Sequence, residues 1–385
     1  MRLFRANCLL VCLLCCLLLP FLVSPVAAQS PSFSFSLMGG SALPNTPEWS
    51  YVASPELGVG LELLWDKSHC VERLATLSPC DSFYHRYMLG LRVDAAVPRN
   101  PIAGARFSAS GVMVNPLAAW GRYSSLSWFL EFGLACYTNP YLRTPNVLNE
   151  FIGSALNCHI GLGVQYLLCL DTLRSLGFAL RFAHSSNGYL CRPNQGLNYL
   201  SLEVAYRFPL LRGGAVPATL SRCDTCSWPG QSLVGSPTRR YSFFVSLAPG
   251  LVQDRGDIND RTYYFTYTCQ FGALYRFSHR RALGGNIDLM YNFAYRALDI
   301  EANGPQSWPL SAGLCVTYES AWSPLFIRLS LGTYLHRLGY HTYPFYERLG
   351  AYYRFGGSLS QYVGVSMKAH YAHVDYIEWT YGINL

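Results

Sequence analysis

The sequence predicts an all-β protein, an antiparallel β-barrel of the outer-membrane type. Segments of about ten residues or more alternate between large apolar and small or polar side chains, which is the period of a β-strand and the length of a tilted membrane-spanning strand. Aromatic residues make up 15% of the 385 residues, and they cluster near segment ends, as they do in the aromatic girdles of membrane barrels. The chain also begins with a stretch typical of an export signal.

The first residues have the composition of a cleavable signal peptide. Two arginines precede an apolar run from Cys8 to Val23, and Val26-Ala27-Ala28 is a small-residue cleavage site. We therefore expect residues 1–28 to be removed, so that the mature chain starts at Gln29 and is exported to the cell outer membrane. No later stretch approaches about 18 uninterrupted apolar residues, so a membrane location requires strands rather than helices.

Charge and composition exclude several classes of protein. Only 13% of the residues are charged and 51% are hydrophobic, which excludes a disordered chain and a coiled coil. The formal net charge is +7, and it becomes +5 when Arg2 and Arg5 leave with the signal. This mild and unclustered excess suits an anionic lipid surface and does not argue for nucleic acid.

Each strand-like segment has one large apolar face. Between Leu126 and Cys136 the even positions are all apolar, whereas the odd positions carry Ser, Glu, Gly and Ala around one Phe. The same alternation returns in residues 158–168, 287–296 and 325–332. A soluble β-sandwich would turn the apolar face inward. The export signal and the aromatic residues favour a barrel whose apolar face contacts lipid and whose interior is polar.

The strands fall into two groups. About eight are predicted between Ser32 and Phe208, and about eight more between Tyr241 and Leu385. Residues 211–240 between them are rich in Gly, Pro, Ser and Cys and are predicted to form a linker or loop. The regions 29–210 and 241–385 therefore form either one barrel of roughly fourteen to sixteen strands or two eight-stranded barrels. The linker is short for two independent membrane bodies, which favours the single larger barrel.

One strand carries polar residues on its apolar face. In the segment from Leu176 to Asn187, His184 and Ser186 share the parity of the apolar residues. They should therefore face lipid, where polar side chains are costly and usually functional. Two residues apart on a strand, they point the same way with Cα atoms about 6.6 Å apart. An imidazole can activate a hydroxyl in this arrangement.

The following strand supplies a third group. If the hairpin is centred on Cys191, Asn198 lies opposite His184 and can orient the imidazole. Glu203 is the nearest carboxylate in sequence, but its parity points it into the lumen, so we reject it. With a periplasmic N-terminus the seventh strand ends in the outer leaflet. The expected substrate of a nucleophile that faces lipid there is lipopolysaccharide.

The motif resembles that of a known family. His184-Ser-Ser-Asn187 and the later Pro193-Asn-Gln-Gly196 are similar to the H-x-S-N and P-N-x-G signature of the lipid A 3-O-deacylases, or acyloxyacyl hydrolases. In that family the signature precedes the last strand of an eight-stranded outer-membrane barrel. Residues 152–157 also resemble the family. The resemblance covers residues 30–208 well, and residues 241–385 as the appended half of longer relatives.

The resemblance implies a cofactor-free ester hydrolase that removes the 3-hydroxyacyl chain from lipid A. It implies His184 as general base, Ser186 as nucleophile, and Asn194 with backbone N–H groups such as that of Gly188 as oxyanion stabilisers. Asn198 stands where the family has Glu. An Asn can orient an imidazole but supplies no charge to stabilise the imidazolium. No metal is implied, and a homodimer is left open.

Other functions stay open on the sequence alone. A non-enzymatic barrel, such as a porin or a structural protein, could keep the motif. This alternative stays open because Asn198 replaces the Glu of the family. An outer-membrane phospholipase uses a His-Ser pair with Asn and typically binds calcium at a dimer interface. The absence of an acidic cluster near Ser186 in the sequence counts against it. Asn194 could also simply shape the turn before Gly196.

The remaining cysteines and acidic residues predict structure more than chemistry. Cys136 and Cys158 would lie opposite each other if their hairpin is centred on Val147. Disulfide candidates are Cys70 with Cys80 and Cys223 with Cys226, and a zinc site at the latter pair would need a second ligand pair. A polar turn is predicted for His370, His373, Asp375 and Glu378.

Overall fold

The computed structural model describes most of the chain: residues 31–44, 47–66, 87–121, 123–210, 240–253, 262–278, 280–296, 300, 304, 308, 310–322, 324–338, 344–355, 360–371 and 373–385. The predicted signal peptide, the linker up to residue 239 and the four cysteines of the predicted disulfides lie outside these residues. None of the helices in the described part is long and apolar enough to cross a membrane.

The described residues form two closed antiparallel barrels of eight strands each. The strands of the first are β1 (Ser32–Leu43), β2 (Pro55–Asp66), β3 (Met88–Pro98), β4 (Arg106–Trp120), β5 (Ser124–Tyr137), β6 (Leu156–Cys169), β7 (Ser175–Ser186) and β8 (Leu197–Pro209). The strands of the second are β9 (Tyr241–Gln253), β10 (Tyr263–Arg276), β11 (Arg281–Asn292), β12 (Ser311–Trp322), β13 (Leu325–His336), β14 (Phe345–Phe355), β15 (Ser360–His370) and β16 (His373–Asn384). A 3₁₀ helix, Pro47–Val52, lies between β1 and β2.

The preference for one larger barrel is wrong. β1 pairs with β8, and β9 pairs with β16, so each sheet closes on itself. Linker length constrains how two units are connected, but it does not determine which strands pair. Closure depends on hydrogen bonding between the first and last strand of each unit, because an open edge would leave backbone groups unpaired in lipid.

The register sets the tilt of the strands. A row of directly paired residues that starts at Ser186 on β7 and runs around the first barrel returns to β7 at Leu176, ten residues away. A row from Tyr275 in the second barrel returns to β10 at Phe265, also ten residues away. Eight strands with this stagger tilt by about 40°, at ~3.3 Å per residue and ~4.8 Å between strands. Such a tilt is typical of membrane barrels.

The interior of the first barrel is polar, as predicted. Arg92 lies 2.8 Å from Asp94 and 2.6 Å from Glu203. Arg181 pairs with Glu131 and lies 2.9 Å from Asp94. The lumen position predicted for Glu203 is therefore confirmed. Buried charges are stable when they are paired, and each charged group of this network has an oppositely charged partner.

The outer wall of the first barrel is apolar. Leu57 and Leu202 expose 75% and 68% of their surface. On β5 the even positions face outward, whereas Ser127, Phe129 and Glu131 are buried inside. Large exposed aliphatic side chains around a closed sheet suit a hydrocarbon environment rather than water.

Two predictions for other residues fail for reasons of register. Cys158 pairs with Leu134 and Cys136 with Leu156, so the hairpin is centred one residue before Val147, and both thiols are free. An error of one residue in a hairpin centre moves the partner by two positions.

The acidic residues near the C-terminus form part of a strand rather than a turn. Asp375 and Glu378 lie in β16 and are buried, and Asp375 accepts a 2.8 Å hydrogen bond from Nζ of Lys368. The pairing with β15 passes from Val374 to Tyr376, so Asp375 is an extra residue in the strand. Such a β-bulge turns Asp375 inward despite its parity, and a simple alternation cannot predict this.

Candidate active site

The β7–β8 hairpin brings His184 and Asn198 together. The register pairs the two residues directly, as a hairpin centred on Cys191 predicts. Nδ1 of His184 lies 2.7 Å from Oδ1 of Asn198. An amide oxygen only accepts hydrogen bonds, so Nδ1 carries the proton and Nε2 is the basic nitrogen. The imidazole is half-buried on the outer wall and has the tautomer that a general base requires.

Ser186 ends β7 and contacts the side chain of Asn194. Its hydroxyl accepts a 2.9 Å hydrogen bond from Nδ2 of Asn194. Oδ1 of Asn194 in turn accepts the backbone N–H of Asn187 at 3.0 Å. This second bond fixes which end of the amide points at Ser186. An N–H donor held beside a nucleophile is well placed to stabilise the oxyanion that forms there.

Asn187 is held by the loop between β5 and β6. Its Nδ2 donates to Oγ of Ser154 at 3.0 Å, and Ser154 donates to the carbonyl of Leu156 at 2.8 Å. Sequence reasoning missed the role of Ser154, because a loop serine has no strand parity to single it out. Its place in the stretch 152–157, which resembles the family, was the available signal.

A second asparagine shapes the same loop. Oδ1 of Asn149 accepts the backbone N–H groups of Phe151 and Ile152, and its Nδ2 donates to the carbonyl of Asn139 at 2.7 Å. The carbonyl of Phe151 then accepts the N–H of Gly196 at 3.0 Å. The loop after β5 therefore supports the loop that carries Asn194.

Gly196 allows the second loop to pass directly against the imidazole. Its φ of +74° is left-handed. A Cβ at this position would lie 2.6 Å from Cε1 and 3.1 Å from Nε2 of His184. Glycine is thus required both for the backbone conformation and for the close approach. Gly188 is also left-handed, with φ of +61°, and its oxyanion role stays a prediction.

A second histidine–serine pair lies on the lumen side of the same strand. Nδ1 of His159 is 2.9 Å from Oγ of Ser185, and its Nε2 is 3.3 Å from a guanidinium nitrogen of Arg181. These residues are almost completely buried and face the lumen, away from the wall that contacts lipid. Their role is to join β6 and β7 inside the barrel. Within the described part of the chain, no group of three or more His, Cys, Asp or Glu side chains could hold a metal ion.

Comparisons with known proteins match both halves of the chain. Residues 82–207 match the family model of the lipid A 3-O-deacylases, and residues 239–385 match that of the acyloxyacyl hydrolase C-terminal domain. Together these segments make up more than two thirds of the chain. No curated protein matches the chain in a sequence comparison.

Two solved structures are similar to parts of the chain. The outer-membrane enzyme PagL is 20% identical, with a TM-score of 0.31, over 46% of this chain and 99% of its own. Neisserial surface protein A is 12% identical, with a TM-score of 0.28, over 47% of this chain and 97% of its own. The two family models confirm the expected ester hydrolase of the outer membrane, and the chain belongs to the lipid A 3-O-deacylase family, in a form that also carries the acyloxyacyl hydrolase C-terminal domain.

Proposed function

We propose that this lipid A deacylase is a serine esterase that removes the ester-linked 3-hydroxyacyl chain from the 3 position of lipid A. One observation carries the proposal. His184 and Ser186 lie on the outer wall of a membrane barrel, and each has the partner that acyl transfer needs: Asn198 for the imidazole and Asn194 for the hydroxyl. Polar residues on such a wall need a function to offset their cost.

The proposed mechanism begins with attack of Oγ of Ser186 on the ester carbonyl. The hydroxyl proton passes to Nε2 of His184, while Asn198 holds the N–H at Nδ1. The carbonyl oxygen becomes an oxyanion, and Nδ2 of Asn194 turns its hydrogen bond from Oγ to that oxygen. The bond between the acyl carbon and the sugar oxygen then breaks, and the imidazolium gives the proton to that leaving oxygen. Water then repeats the sequence on the acyl-serine and releases the hydroxy acid.

Asn198 limits the rate rather than preventing the reaction. Its Oδ1 fixes the required tautomer, as a carboxylate would. It adds no negative charge, so the imidazolium that forms during attack is less stabilised than in a relative with Glu. We therefore infer an active enzyme that is slower than one with a carboxylate at position 198.

The topology favours a site in the outer leaflet. The site lies where β7 ends and β8 begins, at the mouth opposite the two ends of the first barrel's chain. In bacterial barrels the longer loops are extracellular. The four connections at the site's mouth have 7 to 18 residues, the longest being residues 138–155. At the other mouth two of the three connections have only three and five residues, and the third, residues 67–87, has 21. Lipid A occupies the leaflet at which the nucleophile would then lie.

The test is mass spectrometry of lipid A after incubation with the refolded protein. Lipid A should lose the mass of one hydroxyacyl chain with the wild-type protein and should keep it with Ser186→Ala. Ser185→Ala is the matched control, because that neighbouring serine faces the lumen, and it should keep most of the activity. Calcium-dependent release of fatty acid from phospholipids instead would indicate a phospholipase. No hydrolysis of several lipid A types, with or without calcium, would indicate a barrel that has kept the motif without the chemistry.

A further inference from the structure

The outer wall of the first barrel carries an apolar groove of about 480 Å³ across β2 to β6. Two adjacent rows of directly paired residues line it. The row nearer the mouth of the active site consists of Leu156, Cys136, Phe107, Ala95 and Val59. The second row consists of Leu134, Ala109, Val93 and Leu61.

The second row leads to the nucleophile. Leu134 pairs with Cys158, and Cys158 pairs with Ser186. The groove therefore begins two strands away from Ser186, a distance of about 10 Å at ~4.8 Å between strands. Cys158, which has a small side chain, occupies the position between them in the row.

The groove descends into the membrane as it leaves the active site. Followed from Ser186 through β6 and around the barrel, the row reaches Leu176, ten residues closer to the opposite mouth. With a tilt of about 40°, each strand crossed lowers the row by about 3 Å. Across five strands the groove spans about 19 Å at ~4.8 Å per interval. It thus runs from the level of the nucleophile toward the hydrocarbon, as an acyl chain does.

The lining is shaped by small residues between large ones. Ala95 and Ala109 form a low floor, while Phe107 and Val93 expose 53% and 48% of their surface and form walls. The side chains that line the groove from the lipid-facing side are apolar, apart from the thiol of Cys136. A floor of this kind fits a flexible hydrocarbon chain and offers nothing to a polar ligand.

We propose that this groove holds an acyl chain of the bound lipid A other than the chain that Ser186 hydrolyses. The inference rests on the proposed function. A lipid with several chains on one headgroup lays those chains side by side, and the groove begins about 10 Å from the nucleophile at ~4.8 Å per strand. A chain held there fixes the sugar headgroup, so that the ester at the 3 position meets Ser186.

Protection of Cys136 tests occupancy without turnover. In the Ser186→Ala variant, maleimide labelling of Cys136 is followed by peptide mass spectrometry, with Cys269 on β10 of the second barrel as the internal reference. Added lipid A should slow labelling of Cys136 several-fold and leave Cys269 unchanged. A phospholipid of equal chain length should protect Cys136 much less. Equal slowing of both thiols, or equal protection by the phospholipid, would overturn the proposal.

Kinetics of filled-groove variants give the second test. Val93→Phe narrows the groove, and Val204→Phe makes the same change on β8 at a lipid-facing valine of similar exposure, 47% against 48%. We expect Val93→Phe to lower kcat/KM for lipid A by about tenfold and to leave hydrolysis of a short single-chain ester unchanged. Val204→Phe should affect neither.

Equal slowing of both substrates by Val93→Phe would contradict the groove assignment. The two proposals fail separately in these experiments. A wild-type protein that does not hydrolyse lipid A would refute the proposed function, whereas thiol protection in Ser186→Ala reports on the groove alone.

Discussion

Nδ1 of His184 lies 2.7 Å from Oδ1 of Asn198, at directly paired positions of neighbouring strands. Because both residues belong to strands, the sheet register fixes the orientation of the imidazole. The partner is neutral, whereas the family signature has Glu at this position. Position 198 therefore allows the charge beside the imidazole to be changed while the backbone stays in place.

Substitution of Asn198 should change the rate in both directions. We expect Asn198→Ala to lower kcat by at least about tenfold, because the imidazole loses the acceptor that fixes its tautomer. Asn198→Glu should raise kcat above that of the wild type, because a carboxylate stabilises the imidazolium. Initial rates of lipid A deacylation in detergent micelles provide the measurement. Wild-type rates in Asn198→Ala would show that Asn198 does not act on His184.

Removal of the Asn194 amide should affect the chemical step. The side chain donates to Oγ of Ser186, and the N–H of Asn187 fixes its orientation. Loss of one oxyanion donor typically costs about 10²–10³ in kcat, and we expect this for both Asn194→Ala and Asn194→Asp, with little change in KM. Asn194→Asp is the sharper variant, because it keeps the acceptor for Asn187, removes the donor and adds a negative charge beside the developing oxyanion. Unchanged kcat in this variant would contradict an oxyanion role.

A methyl group at Gly196 should displace the imidazole. The added Cβ would lie 2.6 Å from Cε1 of His184, so Gly196→Ala should abolish most of the activity even where the barrel folds. Gly121→Ala is the matched control. Gly121 also has a left-handed φ, of +56°, but among the described residues its Cβ would meet nothing closer than 4.0 Å. Both variants place an alanine at a left-handed φ, and only Gly196→Ala crowds the site.

Folding of both glycine variants can be verified by the shift in gel mobility on heating that is common for membrane barrels. Equal activity of the two variants would refute the direct effect of Gly196 on His184.

Strand parity was sufficient to predict much of the site. His184 and Ser186 could be placed on the outer wall from alternation alone, and Asn198 could be paired with His184 because the connecting loop is short. The same approach failed for Cys136 and Cys158, whose long loop leaves the hairpin centre uncertain by one residue. Alternation also cannot predict how each barrel closes. It shows which face of a strand contacts lipid, but it does not show that β1 pairs with β8, because pairing of strands that are distant in sequence has no local signal.

Loop contacts also escape sequence reasoning. Ser154 reaches Asn187 through a loop whose path is set by the side chain of Asn149 rather than by any period. The bulge at Asp375 cannot be predicted from the sequence either, because an extra residue in one strand is recognised only from its pairing with the neighbouring strand.

Removal of Arg181 should destabilise the first barrel strongly. The guanidinium is buried and pairs with Asp94 and Glu131. Arg181→Leu therefore leaves both carboxylates to share Arg92, which lies 2.8 Å from Asp94 and 3.8 Å from Glu131. Breaking a buried pair in this way costs about 3–5 kcal/mol of unfolding free energy. Urea unfolding in lipid vesicles, followed by tryptophan fluorescence, measures the change. Adding Asp94→Asn and Glu131→Gln to Arg181→Leu should recover part of the loss, because the uncompensated charges are then removed.

The matched control for Arg181 is Arg174→Ala. Arg174 also pairs with a carboxylate, Asp171, at 2.6 Å, but both side chains are in contact with solvent. Solvent and salt screen such a pair, so Arg174→Ala should leave the unfolding curve unchanged. Similar stability losses in the two variants would mean that loss of an arginine at either position weakens the barrel equally. Unchanged stability in Arg181→Leu would mean that the lumen network does not hold the strands together. A large loss in Arg181→Leu alone, with partial recovery in the triple variant, would identify charge compensation in the lumen as the main source of the difference.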